Sequence, residues 1–150
     1  MKKIMMTLAV AFLGIITVSA DNDQPINTNQ LPAQAKMFLD KNFKGKKIAA
    51  TTTERDWFSK EYNVIFADGS KIEFDSEGNW ENIDCNRSSV PESALPAAIA
   101  SYLKANYAGI KVKEIDLDFR GYDVDLENGQ EIKFNKDGKF TILNISDIQD

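Results

Sequence analysis

Four aspartates within ten residues, Asp116, Asp118, Asp123 and Asp125, form the densest group of chemistry-bearing side chains in this sequence. If Arg120-Gly121 makes a two-residue hairpin turn, Asp118 faces Asp123 and Asp116 faces Asp125, so two like-charge pairs stand opposed on one sheet face. Such pairs destabilise a sheet, and a local conflict of this kind marks either a function or a well-solvated surface. Three readings follow: a docking patch for a basic partner, a Ca²⁺ site of hard oxygens, or a solubilising surface relieved by Lys113, Lys133 and Arg120. The calcium reading lacks the ligand-rich loop with its glycine and terminal glutamate, so no metal is assigned. The other candidates are aromatic. Trp57 and Phe58 fall at a hairpin tip, where a large ring either anchors a partner or folds back as a satellite of the core. Trp80 and Phe140 each stand two residues after a turn glycine, and alternation with Ile83 and Leu143 turns them toward the open face unless a β-bulge intervenes.

Much other chemistry is excluded. The 150 residues contain no histidine and one cysteine, Cys85, which removes histidine-based triads, histidine metal sites and any internal disulfide. A carboxylate-only mechanism needs one acid in an apolar pocket and a second across a cleft, whereas these aspartates are crowded and solvated. No phosphate-cradling glycine loop is present. The reading is therefore a non-enzymatic protein without a cofactor. Eighteen basic against 23 acidic residues, net −5, argue against nucleic acid as partner.

Met1 to Lys3 carry two positive charges, Ile4 to Val18 are almost wholly apolar, and Val18-Ser19-Ala20 supplies the small residues of a cleavage site. Residues 1–20 thus read as a signal peptide. The apolar run is shorter than the roughly 20 residues needed to cross a bilayer, and residue 21 is aspartate rather than a lipidated cysteine. No membrane insertion is expected after leader cleavage, and the mature chain is expected in the periplasm or secreted. Cys85 is read as a small apolar residue with no assigned chemistry.

Positioning falls to a duplicated pattern. Leu31-Pro32-Ala33, Phe38-Leu39, Asn42-Phe43 and Gly45 recur 64 residues later as Leu95-Pro96-Ala97, Tyr102-Leu103, Asn106-Tyr107 and Gly109. Tyr62, Val64, Gly69, Ile72, Phe74, Gly78 and Trp80 recur 60 residues later as Tyr122, Val124, Gly129, Ile132, Phe134, Gly138 and Phe140. The change of offset places a four-residue insertion, Asp56-Trp57-Phe58-Ser59, in the first hairpin of the first copy. Leu31 to Phe43 and Leu95 to Tyr107 predict helices, with Asn29 or Ser93 ahead as caps and a single apolar stripe on each. Period-two segments after each helix predict four antiparallel strands, apolar on one face and polar on the other. The expected fold is α+β, with two tandem helix-plus-four-strand repeats at 30–85 and 86–150 after a flexible start at 21–29.

These motifs, a leader with two such helix-and-meander units, resemble the PepSY-like, β-lactamase-inhibitor-protein-like domains of secreted bacterial proteins. The resemblance implies one continuous curved sheet with helices on one face and a partner-binding concave face. It also implies, by analogy of fold, capture or restraint of an enzyme. The expected function is capture of an exported protein or peptide through the open sheet face and first hairpin, as an inhibitor in one form. The alternative is binding of a small ligand or cation at the envelope. The residues expected to carry binding are Trp57, Phe58, Trp80, Phe140, Asp116, Asp118, Asp123 and Asp125.

Overall fold

A computed structural model describes residues 23–141. The leader and Leu143 lie outside the described residues. The chain is α+β, with two α-helices and one open antiparallel sheet of eight strands, paired in sequence order, among the described residues. The strands are β1 (Gln24–Pro25), β2 (Ile48–Arg55), β3 (Lys60–Phe66), β4 (Lys71–Phe74), β5 (Trp80–Asp84), β6 (Val112–Leu117), β7 (Gly121–Leu126) and β8 (Glu131–Asn135). Helix α1 (Ala33–Asn42) precedes β2, and α2 (Ala97–Asn106) lies between β5 and β6.

The described part of the start of the mature chain begins at Asp23 and carries local structure. Gln24 and Pro25 pair with Thr53 and Thr52 at the sheet edge, and Asn27 and Gln30 close a capping box around a 3-10 turn at Thr28–Gln30. Proline is tolerated there because β1 is an edge strand. Four strands follow α1. After α2 three strands follow among the described residues, with Phe140 bridged to Phe134 at the start of a fourth position. Neither Asn29 nor Ser93 caps an α-helix: Pro32 and Pro96 occupy the N-cap positions and make no side-chain cap bond.

Seven residues paired strand to strand form the centre of the core: Thr51, Val64, Ile72, Ile83, Ile115, Val124 and Ile132. All are buried. Ala35, Leu39, Ile99 and Leu103 bring both helices onto this face. The Phe38 ring meets Phe74 edge-on at 5.9 Å, and Tyr102 meets Phe134 likewise at 5.3 Å. Cys85 is fully buried and unpaired, and burial pushes its thiol pKa up, so it stays a protonated apolar side chain. Below it, Lys46 ties three segments together: its Nζ reaches Asp68 at 2.7 Å, Ser88 at 3.0 Å and Ser70 at 3.3 Å.

Candidate binding face

Because side chains alternate along a strand, the neighbours of the core row all face the other way. Two rows therefore make up the centre of the uncovered face. One runs Thr52, Asn63, Glu73, Asn82, Asp116, Asp123, Lys133, and the other Ala50, Ile65, Lys71, Asp84, Glu114, Asp125, Glu131. Nearer the first hairpin Glu54 faces Glu61.

The aspartates are on this face, but their pairing differs from the expected one. Asp116 faces Asp123, and Asp125 faces Glu114. Asp118 belongs to the turn instead. Its carboxylate accepts bonds from the Arg120 and Gly121 amides at 2.7 and 3.1 Å, and from Arg120 Nε at 3.0 Å. Its own amide donates to the Gly121 carbonyl at 2.9 Å, and three residues, Asp118 to Arg120, rather than Arg120-Gly121, connect β6 to β7. Lys133 meets Asp123 at 3.2 Å and Glu131 at 2.7 Å, as expected of a relieving charge. Arg120 likewise relieves Asp118, at 3.0 Å, whereas Lys113 is committed elsewhere, to the Ser88 carbonyl.

Crowding shows in the titration of the face. Burial pushes the Glu114 pKa up, aided by Asp84, Asp125 and Asp116 against the bond from the Asn82 amide. Asp125 is raised by burial, Glu131 and Asp123, and Glu81 by burial, Glu61, Asp75, Glu73 and Asp116. In the opposite direction, Asp68 lies at about 2, because Lys46 and Ser70 outweigh its partial burial. Asp118 is also lowered, chiefly by the Arg120 amide, and Asp75 is lowered by Asn79 and the turn amides against its burial. A raised carboxyl binds more protons folded than unfolded, so its contribution grows as pH falls toward the ordinary value of 4.5 for Glu114. A lowered one loses its contribution below the ordinary 3.8, down to about 2 for Asp68. Urea midpoints measured against pH are therefore expected to rise from neutrality into the mildly acid range and to fall below 3.8. A monotonic fall from pH 7 would contradict the crowding.

The first hairpin supplies the aromatic part. Asp56 N–H donates to the Ser59 carbonyl at 3.0 Å and closes the four-residue tip. Trp57 and Phe58 are 98% and 102% exposed there, so neither ring folds back as a satellite. A third ring departs from the apolar period-two run Ile115, Leu117, Phe119, in which it would face Tyr122: Phe119 is 81% exposed at the tip of the β6–β7 hairpin with the Arg120 guanidinium 5.4 Å from its centre. Its place in a turn with Asp118 and Gly121 was the available signal. In an antiparallel sheet β2 and β6 run the same way, so both tips lie at one end, about 19 Å apart across four strand spacings.

Trp80 and Phe140 lie on the helix side, not the open face. A bulge between β4 and β5 pairs Trp80 with Phe74 while Asn82 pairs with Glu73, leaving Glu81 as the extra residue and turning Trp80 inward. Its ring packs on Phe38 and Tyr122, at 6.5 and 6.1 Å. Phe140, opposite core residue Phe134, stacks on Tyr102 at 5.1 Å. Trp80, Phe38 and Tyr122 line an open groove of about 490 Å³ beside α1.

A family model for PepSY-like proteins, described as "putative beta-lactamase-inhibitor-like", matches residues 60–141. A crystal structure described as a "putative periplasmic protein" of the DUF2874 family from Bacteroides vulgatus is 42% identical. That match covers 83% of this chain and 98% of its own, with a TM-score of 0.77. A "putative calcium-regulated periplasmic protein" from Bacteroides thetaiotaomicron is 40% identical over 81% of this chain and 96% of its own, with a TM-score of 0.75. Another B. vulgatus structure, a "putative periplasmic protein of unknown function", is 40% identical over 82% and 99%, with a TM-score of 0.72. No curated protein matches. The expected periplasmic or secreted location agrees with these descriptions, and no helix among the described residues is long and apolar enough to cross a membrane. Matched over more than half its length by the family model, the chain belongs to the PepSY-like, β-lactamase-inhibitor-like family.

Proposed function

We propose that this chain is an exported, non-enzymatic binding module that captures a protein or peptide through its open sheet face and first hairpin, inhibition being one consequence of capture. The observation that carries the reading is the full exposure of Trp57 and Phe58 on an inserted tip. Two large rings held in water contribute nothing to the fold and are suited to filling a partner's pocket. Asp116, Asp123 and Asp125 stand on the same open face, about four strand spacings from that tip. Asp118 serves the turn, Trp80 packs against the core, and Phe140, 40% exposed, stacks on Tyr102 on the helix side. We also read residues 30–85 and 86–150 as copies of one unit. In support, Asn42 and Asn106 each donate to the carbonyl one turn back, Phe38 and Tyr102, at 3.0 and 2.9 Å.

The test is capture from envelope extract with the wild type, Trp57→Ala and Phe58→Ala as baits. A stoichiometric partner held by the wild type is expected to bind each variant about 2 kcal/mol more weakly, while unfolding free energy changes by less than about 0.5 kcal/mol. Equal capture by all three baits would remove the hairpin from the interface.

A second reading, a small apolar ligand, is favoured by the groove at Trp80, which falls within the usual size range of ligand sites. Trp80→Ala would separate the two, since it removes a groove wall and leaves the hairpin untouched.

A further inference from the structure

The two central rows of the open face hold fourteen residues, of which seven are carboxylates, Glu73, Asp84, Glu114, Asp116, Asp123, Asp125 and Glu131, against Lys71 and Lys133. Both lysines are already engaged, Lys71 with Glu73 at 2.6 Å and Lys133 with Asp123 and Glu131. Asp84, Glu114, Asp116 and Asp125 have no cationic partner among the described residues. The Asn82 amide alone bridges Glu114 and Asp116, at 2.8 and 3.2 Å. At the far end of the same row Thr52 is 3% exposed, so that end lies outside the accessible acidic surface.

Resting on the capture reading, we infer that the partner is a protein or peptide presenting several lysines or arginines, which the acidic sheet face receives while the aromatic hairpin tip grips apolar surface beside them. Charge complementarity selects this occupant. The negative rows spread over five strands at spacings of about 4.8 Å, a width matched by a set of separate cations on a protein surface. Among the described residues no three acidic groups converge to hold a metal ion, so the charge is a field rather than a cage.

The probes are three labelled peptides of repeated Lys-Leu-Ser, Gln-Leu-Ser and Glu-Leu-Ser, titrated by fluorescence anisotropy. The proteins are the wild type, the face variant Glu114→Gln/Asp116→Asn/Asp123→Asn/Asp125→Asn, and Trp57→Ala/Phe58→Ala. The lysine peptide is expected to bind the wild type at least about tenfold tighter than the other two, and to weaken about tenfold between roughly 50 and 300 mM salt. The face variant, with its fold confirmed by urea unfolding, should lose that preference. Equal binding of the three peptides, or an unchanged preference in the face variant, would overturn the inference. So would Ca²⁺ displacing the lysine peptide while raising the melting temperature of the wild type alone. The aromatic variant should weaken the lysine and glutamine peptides alike and keep the salt dependence. If it binds like the wild type while charge dependence persists, the hairpin reading fails and the acidic face stands.

Discussion

Replacing Phe74 by alanine is expected to destabilise the fold by about 3–5 kcal/mol, the range for removing a large buried ring. Phe74 is fully buried on β4, its backbone is paired with Tyr62 and Trp80, and Phe38 from α1 leans on it edge-on. Deleting the ring leaves a void bounded by a helix on one side and a hydrogen-bonded sheet on the other. Neither can collapse into it without breaking backbone bonds, so the cavity cost adds to the lost burial. Single domains are stable by only about 5–15 kcal/mol, so the loss should lower the melting temperature by about 10–20 °C. Phe134→Ala should behave alike, because Tyr102 and Phe140 pack on its ring, at 5.3 and 6.4 Å. Phe119→Ala is the control, a ring of the same size in water, and should stay within about 0.5 kcal/mol. Urea unfolding of the three variants checks this. A loss below about 1.5 kcal/mol for Phe74→Ala would mean that α1 does not bear on the sheet there.

Whether an element was legible in the sequence depended on the parity of its departures from ideal pairing. The register of β6 against β7 lies two positions from the one an Arg120-Gly121 turn would set, because the Asp118 carboxylate builds a longer turn. A two-residue slip changes every partner and leaves every side chain on its face, so Asp116, Asp123 and Asp125 stayed where alternation put them. The bulge at Glu81 adds a single residue, and that was enough to carry Trp80 to the opposite face. No local signal in Asn79-Trp80-Glu81-Asn82 announces the bulge. Its cause is tertiary, the packing of the Trp80 ring against Phe38 and Tyr122. The acidic face was only half visible for a similar reason. Asp84, Glu114 and Glu131 are scattered in sequence and become neighbours of Asp125 only through pairing across four strands. Trp57 and Phe58 were singled out from the insertion alone, but their exposure follows from a tip too short to bend back over the sheet.

Gly121→Ala should be among the most damaging single-atom additions available to this protein, costing about 4 kcal/mol or more. Gly121 opens β7 with a φ of +152°, in the region L-residues avoid. A Cβ there would run into the Phe134 carbonyl oxygen, and would lie 2.8 Å from both the carbonyl carbon and the Cα of Asn135. These are backbone atoms of the adjacent strand, so no rotamer change can make room. Relief requires β7 and β8 to part where Gly121 pairs with Asn135. Gly129→Ala separates the steric effect from the conformational one. Gly129 also has a positive φ, +84°, but an added Cβ meets nothing within 4 Å, so only the left-handed penalty of about 1–2 kcal/mol applies. The difference between the two variants measures how tightly β7 is pressed against β8, and so how firmly Asp123 is held beside Lys133 on the binding face. Equal urea midpoints for the two would show that the pair has room to separate, and the acidic rows would then lose the fixed spacing on which recognition of a basic surface depends.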